Sequence, residues 1–174
     1  MKNIAIFGSA FNPPTRGHLS VVQRLNHYDE VWLIPSYAHA WGKGMLAFDI
    51  RCRLVERFIA DSHLPNLKLV SIEQQLAENV SPVTTHAVLT ALSLAHADTQ
   101  FTFVIGPDNF LNFSKFYRFE DILNQWQVLS CPQTLDIRST YVREAISENK
   151  SFAHLVTSGV ASLLIEEGLY LDIT

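Results

Sequence analysis

Two short segments of this 174-residue chain carry residue types and spacings suited to phosphate. The first is Gly8-Ser9-Ala10-Phe11-Asn12-Pro13-Pro14-Thr15-Arg16-Gly17-His18, which follows an apolar run and opens a stretch at helical spacing. A turn from strand into helix presents free backbone N–H groups and the positive helix end, and both attract an anion. Its two prolines stiffen the turn, Gly17 permits close backbone approach, and His18 falls in the first helical turn, where its ring can reach a bound anion. The pattern is neither the GxxxxGK[ST] of a P-loop nor the dinucleotide GxGxxG. The second segment is Ile137-Arg138-Ser139-Thr140-Tyr141-Val142-Arg143. Ser139 suits an N-cap, and Arg143 lies about one helical turn further on, so its guanidinium can fork onto the same phosphate. Taken singly, each segment also has an ordinary reading: a Pro-rich turn with a surface histidine, and a capped surface helix with a solvated arginine.

The elements around these segments alternate. Short apolar runs at 3–7 (NIAIF), 31–34 (VWLI), 67–72, 101–105 (FTFVI) and 127–130 read as strands. Helical spacing is found at 17–26, 48–62, 84–97, 119–124, 139–147 and 158–167. Continuous apolar strands separated by helices predict a parallel sheet buried on both faces, hence a single α/β domain over 1–174 with a Rossmann-like, doubly wound sheet of about five strands. Ligands in such folds bind beyond the carboxyl ends of the strands, where both segments fall.

Composition narrows the function classes. A net charge of −4 argues against a nucleic-acid binder, which needs a basic face. No segment approaches the ~20 apolar residues of a membrane span, and the apolar run at the start is too short for a secretion signal, so a cytoplasmic protein is expected. Cys52 and Cys131 lack metal-ligand spacing and are expected to be buried, reduced thiols. The histidines at 39, 63, 86, 96 and 154 also lack it, so no protein-built metal site is expected.

The two segments together carry a resemblance. Thr15-Arg16-Gly17-His18 resembles the (T/H)xGH signature of the nucleotidyltransferase superfamily in its TxGH form, and residues 137–143 resemble its second signature, ISSTxxR. The turn Gly106-Pro107-Asp108-Asn109, the Lys43-Gly44 loop leading into a helix with Arg51, and the ending 155–170 with its terminal Leu-Tyr are similar to the nicotinate/nicotinamide mononucleotide adenylyltransferases. The resemblance covers nearly the whole chain.

It implies in-line attack by a mononucleotide 5′-phosphate on the α-phosphate of ATP, with release of pyrophosphate, in NAD biosynthesis. His18, Thr15, Lys43 and Arg143 are then the expected catalytic groups. Gly8, Ser9, Phe11, Gly17, Gly106, Asp108, Ile137, Ser139 and Thr140 join Thr15, His18 and Arg143 around ATP. Ala10, Asn12, Arg51, Thr84, Asn109 and Phe116, with Lys43, are expected to hold the acceptor. Mg²⁺ is expected on the ATP phosphates rather than on protein ligands. The partners implied are ATP and the mononucleotide, with no nucleic acid or membrane, and a homo-oligomer is compatible with the reading. Five departures from the family pattern stand out, one of them a stretch 130–137 that is shorter than in many relatives. TxGH replaces the more usual HxGH and is familiar in phosphopantetheine adenylyltransferases. Arg138 stands where a serine is usual, and Phe116 where a tryptophan tends to stack on the pyridine ring. Val83-Thr84 replaces a Tyr-Thr pair. A related transferase with another phosphorylated acceptor, or a nucleotide-binding protein without turnover, are the alternatives.

Overall fold

The computed structural model describes residues 1–37 and 44–172. Five strands, β1 (Lys2–Ser9), β2 (Glu30–Pro35), β3 (Leu67–Leu69), β4 (Thr99–Ile105) and β5 (Gln127–Ser130), form one sheet in the order β3-β2-β1-β4-β5. Every pairing is parallel. The doubly wound α/β fold expected from the alternation is therefore present. β1 is central, the chain winds from it through β2 to β3, and then continues on its other side with β4 and β5. The gap between the carboxyl ends of β1 and β4 is the switch point at which such sheets open a crevice.

Alternation along the strands builds a core on each face. Ala5, Phe7, Val31 and Leu33 pack with residues of α1 (Arg16–Val22), α2 (Phe48–Ser62), α7 (Ser139–Ser147) and α8 (Ser158–Glu166). Ile4, Ile6, Trp32 and Ile34 pack on the other face with α4 (Thr85–Ala95) and α6 (Phe119–Gln125). Near the amino ends of β1 and β2, buried Glu30 accepts from Lys2 Nζ, from Lys68 Nζ at 2.7 Å and from Trp32 Nε1 at 2.7 Å. Burial alone would raise its pKa, but these donors outweigh it and hold Glu30 at about 2.

Several boundaries differ from the sequence reading. Helix α1 stops at Val22, four residues early, although Leu25 beyond it is still fully buried. The third strand ends at Leu69, and Ile72 instead starts the short helix α3 (Ile72–Ala77), because Ser71 interrupts the apolar run. Pro107 at the first helical position opens another short helix, α5 (Pro107–Leu111), where a plain turn was expected. Cys131 is buried as expected, whereas Cys52 is only half-buried, and both are free thiols. No helix among the described residues is long and apolar enough to cross a membrane.

Candidate active site

The two phosphate-type segments meet at the switch point. Thr15 Oγ1 donates to Ile137 O at 3.2 Å, and in return Ser139 Oγ donates to Pro13 O at 2.6 Å. Arg143 Nη1 donates to Asn12 O at 2.8 Å. A Cβ on Gly17 would lie 2.2 Å from Ile137 O, so only glycine lets the start of α1 approach the strand of chain leading into α7. The close approach read from Gly17 is thus real, and it is made to the second segment.

Between these helix starts and β4 lies a cleft of about 280 Å³. Its walls include Gly8 and Ser9 from the end of β1, His18 and Gly17 from α1, Gly106 to Asn109 at the start of α5, and Ile137 to Ser139. Gln133 and Val21 also reach it, and the sequence held no signal for either. A Cβ on Gly106 would meet nothing, so this wall is open.

His18 is held by its own turn. Its Nδ1 accepts the Thr15 N–H at 2.9 Å, closing a capping box in which the Thr15 hydroxyl accepts the Gly17 N–H. An Nδ1 that accepts leaves the proton of the neutral ring on Nε2, which faces Ser9 Oγ at 3.1 Å. The ring sits beside Phe11 and Phe7, with centroids 5.0 and 6.1 Å away, and burial pulls its pKa down to about 4. His18 is therefore a neutral donor at the cleft wall, aimed by backbone rather than by a carboxylate.

Other expected site residues are placed differently. Thr15 is fully buried, and its hydroxyl proton goes to Ile137 O, so it braces the two segments instead of facing the cleft. Phe11 is likewise fully buried, with a left-handed φ of 47°, and supports the His18 ring from beneath. Ser139 is the first residue of α7, not its N-cap; Arg138 holds the cap position without a side-chain bond. The Ser139 hydroxyl is occupied by Pro13. Asp108 faces Arg138 across the cleft mouth at 3.1 Å. Thr140 is exposed and accepts from Arg143 Nη2 at 3.3 Å.

Of the described residues expected to hold the acceptor, Ala10, Asn12 and Arg51 are linked to one another, Asn12 and Arg51 through Leu46, whereas Asn109, Thr84 and Phe116 belong to other elements. Asn109 lines the cleft. Arg51, on α2, has no exposed surface and donates to Leu46 O at 2.9 Å, Ala10 O at 2.8 Å and Tyr37 O at 3.3 Å. Each of its three nitrogens thus donates to a main-chain carbonyl. Ala10 enters through that carbonyl. Asn12 is buried and bonds Gly44 O and the Leu46 N–H. Thr84 caps α4 by accepting the Ala87 N–H at 3.2 Å. Phe116 packs among Phe103 and Phe113, at 6.2 and 5.2 Å, on the second core. Lys43 lies outside the described residues.

Among the described residues no cluster of three or more potential metal ligands occurs. Asp108 is the carboxylate that the cleft wall offers.

Comparison with known proteins agrees with this geometry. The family profile described as cytidylyltransferase-like matches residues 6–146. A Myxococcus xanthus protein provisionally named a nicotinate-nucleotide adenylyltransferase is 31% identical over 183 residues, covering 96% of this chain and 94% of its own. A Vibrio parahaemolyticus structure with the same provisional name is 45% identical, covers 99% of this chain and 97% of its own, and superposes with a TM-score of 0.89. The nicotinic acid mononucleotide adenylyltransferase of Plasmodium falciparum, solved in complex with APC, shares the fold at a TM-score of 0.80, with 17% identity over 100% of this chain and 99% of its own.

Proposed function

The chain belongs to the cytidylyltransferase-like family, on its nicotinate-nucleotide adenylyltransferase branch, and from that premise we propose that it joins nicotinate mononucleotide to the AMP moiety of ATP and releases pyrophosphate. The observation that carries this reading is the cross-braced pair of helix starts, which sets His18 and the start of α7 on one cleft at the switch point.

The reaction forms one P–O bond, from the acceptor 5′-phosphate to the α-phosphorus of ATP, and breaks the bond from that phosphorus to the β-phosphate bridge. No covalent enzyme intermediate is required, so the protein contributes alignment and charge stabilisation. His18 donates Nε2–H to a reacting phosphate oxygen in place of its bond to Ser9. Because burial keeps the ring neutral above about pH 4, it is already in the donor form at neutral pH. Approaching phosphates then raise its pKa and strengthen the donation. The free backbone N–H groups at the start of α7, with Arg143 beside them, take the leaving pyrophosphate. Lys43 adds a mobile positive charge. Mg²⁺ carried on the ATP phosphates would neutralise their charge, and Asp108 would be the carboxylate at hand for its water shell.

Nicotinate is preferred over nicotinamide by roughly tenfold, about 1.4 kcal/mol, because backbone N–H donors pair better with a carboxylate than with an amide. The test is pyrophosphate release from ATP against both mononucleotides and phosphopantetheine, under identical salt and Mg²⁺. Turnover should be highest with nicotinate mononucleotide. Turnover with phosphopantetheine alone would move the chain to the related acceptor class, and no turnover at all would make it a binding protein.

A further inference from the structure

Among the described residues that line the cleft, Arg138 alone carries a positive charge. His18 is held neutral by burial, and Thr15 is buried with its hydroxyl committed to Ile137 O. Arg143 is turned to Asn12 O and Thr140. A triphosphate entering between the helix starts therefore meets one cation of the wall, and it is a residue that neither phosphate-type segment required.

The backbone beneath this charge is fixed, while the side chain is not. The neighbours of Arg138 are braced on both sides: Ile137 O accepts from Thr15 Oγ1 at 3.2 Å, and Ser139 Oγ donates to Pro13 O at 2.6 Å. Arg138 itself takes the N-cap position of α7 and spends no side-chain bond on the helix. Its Nη2 instead lies 3.1 Å from Asp108 Oδ2 on α5, and its Nε 3.5 Å from Asp136 Oδ1. The arginine side chain is half exposed and both carboxylates are more so. Ion pairs as wet as these hold little energy, and a phosphate group offers the guanidinium a better, bidentate partner. Arg138 directly precedes Ser139 at the helix start that takes the leaving pyrophosphate, so the phosphates within its reach are those of that group.

We propose that Arg138 is a further substrate-binding residue: its guanidinium exchanges Asp108 for the β- and γ-phosphates of ATP, and Asp108 competes with them for its charge. The inference rests on the adenylyl-transfer reading given above and adds to it the residue that tells ATP from AMP.

The test is calorimetric binding of ATP and of AMP, with Mg²⁺ removed by a chelator, to the wild type, Arg138→Ala, Asp108→Asn and the double variant. Arg138→Ala should weaken ATP by roughly tenfold or more and AMP by less than about twofold. Asp108→Asn should act in the opposite direction, tightening ATP by roughly two- to fivefold, the worth of the exposed pair it breaks. That gain should vanish in the Arg138→Ala background, because no guanidinium is left to release. Arg138→Gln, which keeps the stem and removes the charge, must show the same ATP-selective loss. Unchanged ATP affinity in Arg138→Ala, an equal loss for ATP and AMP, or an Asp108→Asn gain that survives without Arg138 overturns the inference, while pyrophosphate release by the wild type still stands for the reaction. A wild type that binds ATP no more tightly than AMP and releases no pyrophosphate would remove the reading beneath it and the inference with it.

Discussion

Two groups of charged side chains sit at opposite ends of the sheet, and they are satisfied in different ways. At the amino end, Lys2 and Lys68 converge on the Glu30 carboxylate, so positive and negative charge meet. At the carboxyl end, Arg51 and Arg143 donate to the main-chain carbonyls of Leu46, Ala10, Tyr37 and Asn12. No carboxylate pairs with either arginine among the described residues. A carbonyl satisfies a guanidinium N–H but does not cancel its charge. The first places a carboxylate between two cations. In the second no carboxylate of the described residues lies within ion-pair distance, Glu73 acting on Arg51 only from further off. Positive charge therefore remains beside the helix starts, where a triphosphate needs it. The same residue class thus builds structure at one end and a site at the other, and the partner decides which.

The largest expected effect tests the Arg51 hub. Replacing Arg51 with Leu removes the charge and strands three carbonyls in the interior, which should cost about 3–5 kcal/mol of stability. Urea unfolding should show it as a lower midpoint with unchanged slope. A loss below about 1 kcal/mol would mean that carbonyls alone do not hold the cation, and the contrast between the two ends would fail.

Next comes His18. Its alanine variant should lose roughly 10²–10³ in kcat, the scale for one donor to developing charge, with a smaller change in ATP affinity. Single-turnover measurement separates the two. Ordinary turnover from a folded His18→Ala protein would show that the cleft histidine is no part of the chemistry.

Acid should unfold the two ends in different windows. Burial lowers His18 from its ordinary 6.5 to about 4, so between these values the unfolded chain binds the extra proton and stability falls as pH drops. Glu30 is held at about 2 against an ordinary 4.5; its stabilisation is complete above 4.5 and lost as pH falls towards 2. Across its own window each accounts for a loss of up to about 3 kcal/mol as pH falls, by the usual conversion. Denaturation followed against pH should lose its upper arm in His18→Gln and its lower arm in Glu30→Gln. An upper arm that survives in His18→Gln would assign that window to another group.

The sequence made the strands, their parallel arrangement and the meeting of the two phosphate-type segments legible, because apolar runs and helix-start chemistry are local signals. Roles were harder to read than places. Thr15, Phe11 and Arg51 were all assigned to ligands, yet each faces inward, since no local pattern tells whether a polar or aromatic side chain will find a substrate or a carbonyl 122 residues away, as Thr15 finds Ile137. Tyr170 belonged to the resemblance as part of a terminal Leu-Tyr, but the bond from its hydroxyl to Asn12 Oδ1 closes only in three dimensions. The short helices α3 and α5 were missed because six and five residues are too few to show a period.

The smallest expected effect sharpens the comparison from the amino end. Lys2 and Lys68 both donate to Glu30 Oε1, while Oε2 takes the Trp32 indole N–H. Both lysine side chains are about half exposed, at 51% and 54%, so neither is desolvated far enough to be worth much alone. Removing Lys2 leaves Oε1 on Lys68, and removing Lys68 leaves it on Lys2; each alanine variant should cost less than about 1 kcal/mol. The double variant should cost more than the sum, because the buried carboxylate then keeps only the indole and pays its desolvation uncompensated. Urea midpoints for the two single variants and the double variant give the coupling directly. Strict additivity would show that Glu30 does not depend on a shared pair of lysines, and the amino-end cluster would then be two independent surface contacts rather than one coupled group.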